Sequence, residues 1–164
     1  MQLYFLRHGI AAEGEDWLGD DAARPLTDAG RERVELTAQA MARLGLKFDK
    51  ILTSPLVRAR QTAEIVARRL HAVDRFEEET LLSPGFGPKE LSEILRERPS
   101  ERPLLLVGHE PDFSHTIGHL IGEARVVCKK AGLARVDLCD GQPLRGDLVW
   151  LIPPKALAIW ADRG

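Results

Sequence analysis

Two stretches of the chain are apolar without interruption, Leu3-Tyr4-Phe5-Leu6 and Pro103-Leu104-Leu105-Leu106-Val107. Both stop abruptly, the first on Arg7-His8-Gly9 and the second on Gly108-His109. Runs this short and this sharply bounded have the pattern of strands buried on both faces. A third strand is predicted from Phe48 to Thr53. Elsewhere the spacing turns helical. Val34, Leu36, Ala38, Met41, Ala42 and Leu44 recur with a roughly helical period, behind Thr27 as N-cap and Asp28 as first-turn negative charge, and Gly45 stops them. Ser54-Pro55 reads as an N-cap followed by proline at the first helical position, opening a helix to about Leu70. Shorter helices are predicted over Lys89 to Arg98 and Pro111 to Gly122. Val126-Val127 and Leu133 to Leu138 read as strands of a hairpin-like segment, and Gly146 to Ile152 as a last strand before Pro153-Pro154.

Two segments lack a period. Ile10 to Pro25 holds Gly14, Gly19 and five acidic residues and reads as a loop; His71 to Gly87 reads as a connection, with a solvated acidic run at Glu77-Glu78-Glu79. Strands alternating with helices predict an α/β fold with some antiparallel pairing near the C-terminal end. In open α/β sheets, ligands bind at the carboxyl ends of the strands.

That edge is where the chemistry collects. If the strands ending at His8 and His109 lie parallel in one sheet, two imidazoles share a cleft. Arg7 arrives beside His8, and Arg58 sits one turn into the helix after Ser54, near a helix N-terminus that favours anions. Two arginines and two histidines suit a multiply charged oxyanion, because guanidinium groups match phosphate oxygens bidentately. Cations packed around an imidazole disfavour its protonation, so a histidine among them stays neutral and nucleophilic near pH 7. His8 takes that role, and His109 the role of donor to phosphoryl oxygens. The reaction class that follows is phosphoryl transfer through a covalent phosphohistidine, then hydrolysis by water, with no metal or cofactor required.

Composition adds limits. The 164 residues suit a single domain over 1–164, and a net charge of −2 with 29% charged and 44% hydrophobic residues gives no general affinity for nucleic acid or membrane. Any basic site is therefore local. Cys128 and Cys139 form no C-x-x-C pair, and no cationic leader or bilayer-length apolar run is present, so a cytoplasmic protein is expected. No oligomeric state follows from the pattern.

These residues resemble the histidine phosphatase superfamily, whose hallmark is R-H-G at the end of the first strand. Leu26-Thr27-Asp28-Ala29-Gly30 is similar to its L-T-x-x-G helix start, Ser54-Pro55-Leu56-Val57-Arg58-Ala59-Arg60-Gln61-Thr62-Ala63 to its S-P-L-x-R-A-x-x-T-A segment, and Gly108-His109-Glu110-Pro111 to its second histidine motif. The resemblance implies the phosphoglycerate mutase-like fold, a three-layer α/β/α sandwich around a mostly parallel sheet. It also implies His8 as phosphorylated nucleophile and Arg7, Arg58 and His109 as phosphate pocket.

His109 follows Arg58 by only 51 positions, which leaves no room for the large lid insertion of the mutases and sugar phosphatases. An open pocket suits a phosphate carried on a protein surface. In size the chain resembles the SixA-type phosphohistidine phosphatases, which act on histidine phosphotransfer domains of phosphorelays in signal transduction. A leaving imidazole also needs an enzyme-borne acid less than an alkoxide does. Relatives that use a glutamate carry a motif resembling L-x-E-x-x-x-G; Leu81-Leu82-Ser83-Pro84-Gly85 has none, and Glu13, Asp16, Glu77, Glu78 and Glu79 remain unassigned as acids. Two other readings stay open: a broad-specificity or small-metabolite phosphomonoesterase, and a phosphate- or phosphoprotein-binding module without turnover. His115 and His119 have the spacing of paired zinc ligands, but Thr116 replaces the glutamate of H-E-x-x-H and both fall mostly on the polar side of their helix, so metal binding is not expected there. Trp150 and Trp160 are expected to pack rather than to stack on nucleic acid.

Overall fold

The computed structural model describes residues 1–98 and 102–162. In chain order the elements are β1 (Gln2–Arg7), α1 (Asp28–Arg43), β2 (Lys50–Thr53), α2 (Val57–Arg69), β3 (Phe76–Glu78), α3 (Pro88–Glu97), β4 (Leu104–Gly108), α4 (Asp112–Leu120), β5 (Leu133–Leu138), β6 (Gly146–Ile152) and α5 (Pro154–Asp162). The strands form one sheet in the order β3-β2-β4-β1-β5-β6. The first four run parallel; β5 lies antiparallel to β1, and β6 antiparallel to β5.

Alternation along β1 assembles the layers. Tyr4 and Leu6 point to one face, where Val34, Ala38 and Met41 of α1, Ala63 and Val66 of α2 and Leu157 of α5 close over them. Leu3 and Phe5 point to the other, against Leu91 and Ile94 of α3 and Phe113 and Ile117 of α4. The result is the expected three-layer α/β/α sandwich with a mostly parallel sheet. Between Arg58 and His109 the described chain is spent on the rest of α2, β3, α3 and β4, and no large lid is inserted.

Local chemistry sets the start of α1. Thr27 Oγ1 accepts from the Gly30 N–H at 3.0 Å, and the Thr27 N–H donates to the Ile10 carbonyl at 3.0 Å. A Cβ on Gly30 would stand 2.0 Å from that same carbonyl oxygen, so only glycine lets the loop after β1 lie on the helix.

Four expectations are corrected. The stretch 71–87 is not a plain connection: Phe76–Glu78 forms the edge strand β3, too short to show a period. Its acidic run is not a solvated loop, since Glu77 pairs with Lys50, Glu78 with Arg60 at 3.3 Å and Glu79 with Arg98 at 2.8 Å. Val126-Val127 form no strand; β5 pairs with β1 and β6 instead. Ser54 is not the N-cap of α2. Its N–H still continues the sheet ladder to the Val107 carbonyl at 3.0 Å, so the helix begins later, with Leu56 at the cap. Trp150 packs edge-on against Tyr4 at 5.7 Å, whereas Trp160 in the unanticipated α5 is 41% exposed.

Candidate active site

Parallel pairing of β1 with β4 sets Arg7 level with Gly108, so His8 and His109 leave the sheet side by side. Their ring centroids are 5.2 Å apart, and both residues are buried. The His8 N–H continues the ladder to the Gly108 carbonyl at 3.0 Å, and its Nδ1 lies 2.7 Å from the Gly9 carbonyl oxygen. A carbonyl only accepts, so in the neutral ring Nδ1 carries the proton and Nε2 keeps its lone pair. Burial pushes the His8 pKa down to about 3, helped by the charges of His109, Arg58 and Arg7 and opposed by the bond to Gly9. The expectation of a neutral imidazole holds, with burial outweighing the arginines as its cause.

His109 is pushed down to about 4, again by burial first and then by Arg58, Arg24 and Arg7. Its Nε2 lies 2.8 Å from Ser54 Oγ, a contact that sequence reasoning missed by reading Ser54 as a helix cap. With the ring neutral, the Ser54 hydroxyl can donate to Nε2, which leaves Nδ1 as the protonated nitrogen. That Nδ1 is buried without a partner.

Arg58 is 5% exposed in the first turn of α2, where its Nη1 donates to the Asp21 carbonyl at 2.8 Å and its Nη2 to Asp21 Oδ2 at 3.1 Å. Arg7 donates through Nη1 to the Cys128 carbonyl at 2.9 Å. Thr62 ties α2 to the segment after β1: its hydroxyl donates to the Arg58 carbonyl at 2.8 Å and accepts from the Gly9 N–H at 3.1 Å. Among the described residues, five buried side-chain polar atoms lack a hydrogen-bond partner, and three of them, Arg7 Nε, Arg58 Nε and His109 Nδ1, belong to this site. A buried donor left unpaired costs about 1–3 kcal/mol. An oxyanion with several acceptor oxygens is the ligand chemistry that relieves such a cluster.

Asp21 was also missed; its only signal was the acid-rich loop after Gly9. Partial burial raises its carboxyl, but the hydrogen bonds and charges of Arg24 and Arg58 outweigh that and hold its pKa below the ordinary carboxylate range. The carboxylates considered as acids make no contact with His8 or His109 among the described residues. Glu13 pairs with Lys130 at 2.7 Å and Arg24 at 3.5 Å, Glu77, Glu78 and Glu79 are engaged as described for β3, and Asp16 is exposed in a short turn. His115 is exposed and His119 Nδ1 bonds Glu123 at 2.6 Å. Among the described residues, no group of three or more His, Cys, Asp or Glu side chains is placed to hold a metal ion, and no helix is long and apolar enough to cross a membrane. Cys128 is buried and Cys139 exposed, both as free thiols, and burial pushes Cys128 up to about 11.

Comparison with known proteins gives the family and agrees with the fold. An uncharacterized protein of Picosynechococcus is 41% identical over 147 residues, spanning 83% of this chain and 88% of its own. The solved structure of the protein histidine phosphatase SixA complexed with tungstate, an oxyanion, superposes with a TM-score of 0.85 at 28% identity, covering 96% of this chain and 99% of that one. A mitochondrial serine/threonine-protein phosphatase, Pgam5 of Drosophila yakuba, is 33% identical over 113 residues, which is 68% of this chain but 34% of that longer protein. The model of the histidine phosphatase superfamily (branch 1) matches residues 3–106, from β1 through most of β4, and the chain belongs to that family.

Proposed function

We propose that the protein is a phosphatase acting on phosphohistidine carried by another protein, with His8 as the phosphoryl acceptor. The observation that carries this reading is a buried, neutral His8 whose proton is fixed on the Gly9 carbonyl side, beside three buried side-chain nitrogens that have no hydrogen-bond partner. Arg7, Arg58 and His109 hold the phosphoryl oxygens. His8 Nε2 attacks phosphorus, the bond from phosphorus to the substrate imidazole breaks, and that imidazole leaves neutral after taking a proton from solvent. The Gly9 carbonyl then stabilises the positive charge on the phosphorylated His8 ring. Water attacks the phosphorus of His8, inorganic phosphate departs, and the neutral ring is restored.

The substrate assignment rests on the acid that this route does not need. Asp21, the carboxylate in contact with Arg58, is held ionised by two arginines, which suits orientation of Arg58 and not delivery of a proton to an alkoxide. A phosphohistidine on a phosphorelay histidine phosphotransfer domain, in a cytoplasmic signalling setting, fits a lidless pocket. The test compares phosphate release from such a domain with release from phosphoserine peptides and sugar phosphates. Preference for the domain is expected; equal or better turnover of the esters would replace this reading with a phosphomonoesterase, and no turnover of any of them would leave a binding module.

A further inference from the structure

Arg7 has a second environment. On the side of His8 toward β6 it lines a cleft of about 560 Å³ together with Arg33 of α1, Lys129 and Lys130 of the turn before β5, and Lys155 of α5. Ile10, Pro153 and Pro154 complete its lining. Sheet topology explains why these distant segments meet. Because β6 is antiparallel to β5 and β5 to β1, β6 ends at the same edge as β1, with Ile152 level with Leu133 and Leu133 level with Leu6. Pro153 and Pro154 therefore stand at the level of Arg7, two strand spacings or roughly 10 Å across the sheet. The lysine turn is fixed to the same backbone that presents His8: the Ala131 N–H donates to the Arg7 and His8 carbonyls at 3.0 and 3.1 Å, and the Gly132 N–H to the Lys129 carbonyl at 2.7 Å.

Five cations line one cleft of a chain whose net charge is −2. Lys130 pairs with Glu13 at 2.7 Å; among the described residues no carboxylate lies within 4.0 Å of the cationic groups of Arg33, Lys129 or Lys155. Like charges gathered without counter-charges repel one another, and an anionic partner entering the cleft relieves that repulsion. The apolar part of the lining selects among anionic partners. Isoleucine and proline side chains offer no hydrogen bonds to a nucleobase or a sugar, whereas a peptide presents apolar and acidic side chains together.

We infer that this cleft docks an acidic segment of the phosphorylated protein, with Asp or Glu side chains one to two helical turns from the phosphorylated histidine. A helical turn advances about 5.4 Å, so two turns match the roughly 10 Å from the end of β1, beside His8, to the far side of the cleft at Pro153 and Pro154. The inference rests on the substrate reading above and adds to it the feature of the partner that is recognised.

Charge reversal of the two exposed lysines tests it, using K129E/K155E with K129R/K155R as the conservative control. The substrates are a phosphohistidine-bearing histidine phosphotransfer domain and phosphoramidate, which has no segment to dock. For the domain, kcat/KM should fall by about tenfold or more in the reversed variant, through KM, and lose its dependence on salt, while the arginine variant matches the parent. Phosphoramidate turnover should be unchanged in all three proteins. An unchanged kcat/KM for the domain, or an equal fall for both substrates, would overturn the docking site. A second arm measures binding of a fluorescein-labelled helical peptide bearing glutamates on one face and no phosphate. Binding by the parent that charge reversal removes supports the inference; equal binding by both, or binding of tripolyphosphate without binding of the peptide, refutes it. Should the domain not be turned over while phosphoramidate is, the substrate reading fails and the peptide arm still decides the cleft.

Discussion

Replacing Arg58 by alanine should weaken binding of vanadate, a phosphoryl mimic, by about 30- to 150-fold and leave global stability within about 1 kcal/mol of the parent. The binding estimate starts from charge-assisted hydrogen bonds of about 1.5–3 kcal/mol each. Arg58 brings one orphan Nε and the remaining Nη protons to an oxyanion, but Asp21 already neutralises part of its charge, so about 2–3 kcal/mol in total is the appropriate scale. The stability estimate balances two terms. Losing the two buried methylenes beyond Cβ costs about 0.8 kcal/mol each, and removing a buried donor without an acceptor recovers about 1–3 kcal/mol. Asp21, 63% exposed in its side chain, is resolvated at little cost once released.

The assay pairs vanadate inhibition with urea unfolding of the same preparations. Arg58→Lys serves as control, because it keeps the charge and loses the planar fork, and should recover only part of the affinity. Unchanged vanadate affinity together with a stability loss above about 3 kcal/mol would show that Arg58 is an architectural residue of α2 and refute its role in the pocket.

His8→Ala should abolish both turnover and the acid-labile phosphoenzyme trapped after mixing with substrate; a phosphoenzyme that persists in this variant would move the nucleophile elsewhere. Ser54→Ala removes the partner of His109 Nε2 at 2.8 Å and should lower kcat by about tenfold with little change in KM, the scale of one lost hydrogen bond, whereas unchanged kcat would make that contact incidental. Stability should also fall as pH drops from about 6.5 toward 4. His8 and His109 are held neutral in the folded state with pKa values near 3 and 4, so across that window the unfolded chain binds more protons and gains relative stability, on the order of a few kcal/mol. Urea midpoints measured against pH should show this slope, reduced in a His8→Ala/His109→Ala variant; an identical slope in that variant would assign the loss to other groups.

Much of this was legible before any coordinates, for specific physical reasons. The strands β1 and β4 are buried on both faces, so their residues cannot be polar and the chain announces them; the parallel register that follows is what brings His8 beside His109. Arg58 was legible through its place one turn into a helix. What stayed hidden depends on partners distant in sequence. Asp21 reaches Arg58 across 37 positions, Ser54 reaches His109 across 55, and β3 is a three-residue strand whose charges are paired across the sheet edge and beyond. None of these carries a periodic signal. The cleft of cations is hidden in the same way, since Arg33, Lys129 and Lys155 converge only because β6 turns back to the edge where β1 ends.

That convergence bears on how one edge of the sheet can serve both chemistry and recognition. In the proposed pocket the guanidinium groups of Arg7 and Arg58 attract a phosphoryl group whatever molecule carries it. Discrimination among phosphorylated proteins must then come from contacts outside the pocket, and a lid that wraps a small substrate would block them. In the proposed reading, a pocket open on one side and bordered by exposed lysines resolves this conflict: Arg7, Arg58 and His109 would hold the phosphoryl group, and the carrier would be read where Arg7 meets the cleft. On this view Arg7 couples the two, because its Nη1 is tethered to Cys128, one residue before Lys129, so a partner seated on the lysine turn bears on the arginine that holds its phosphate.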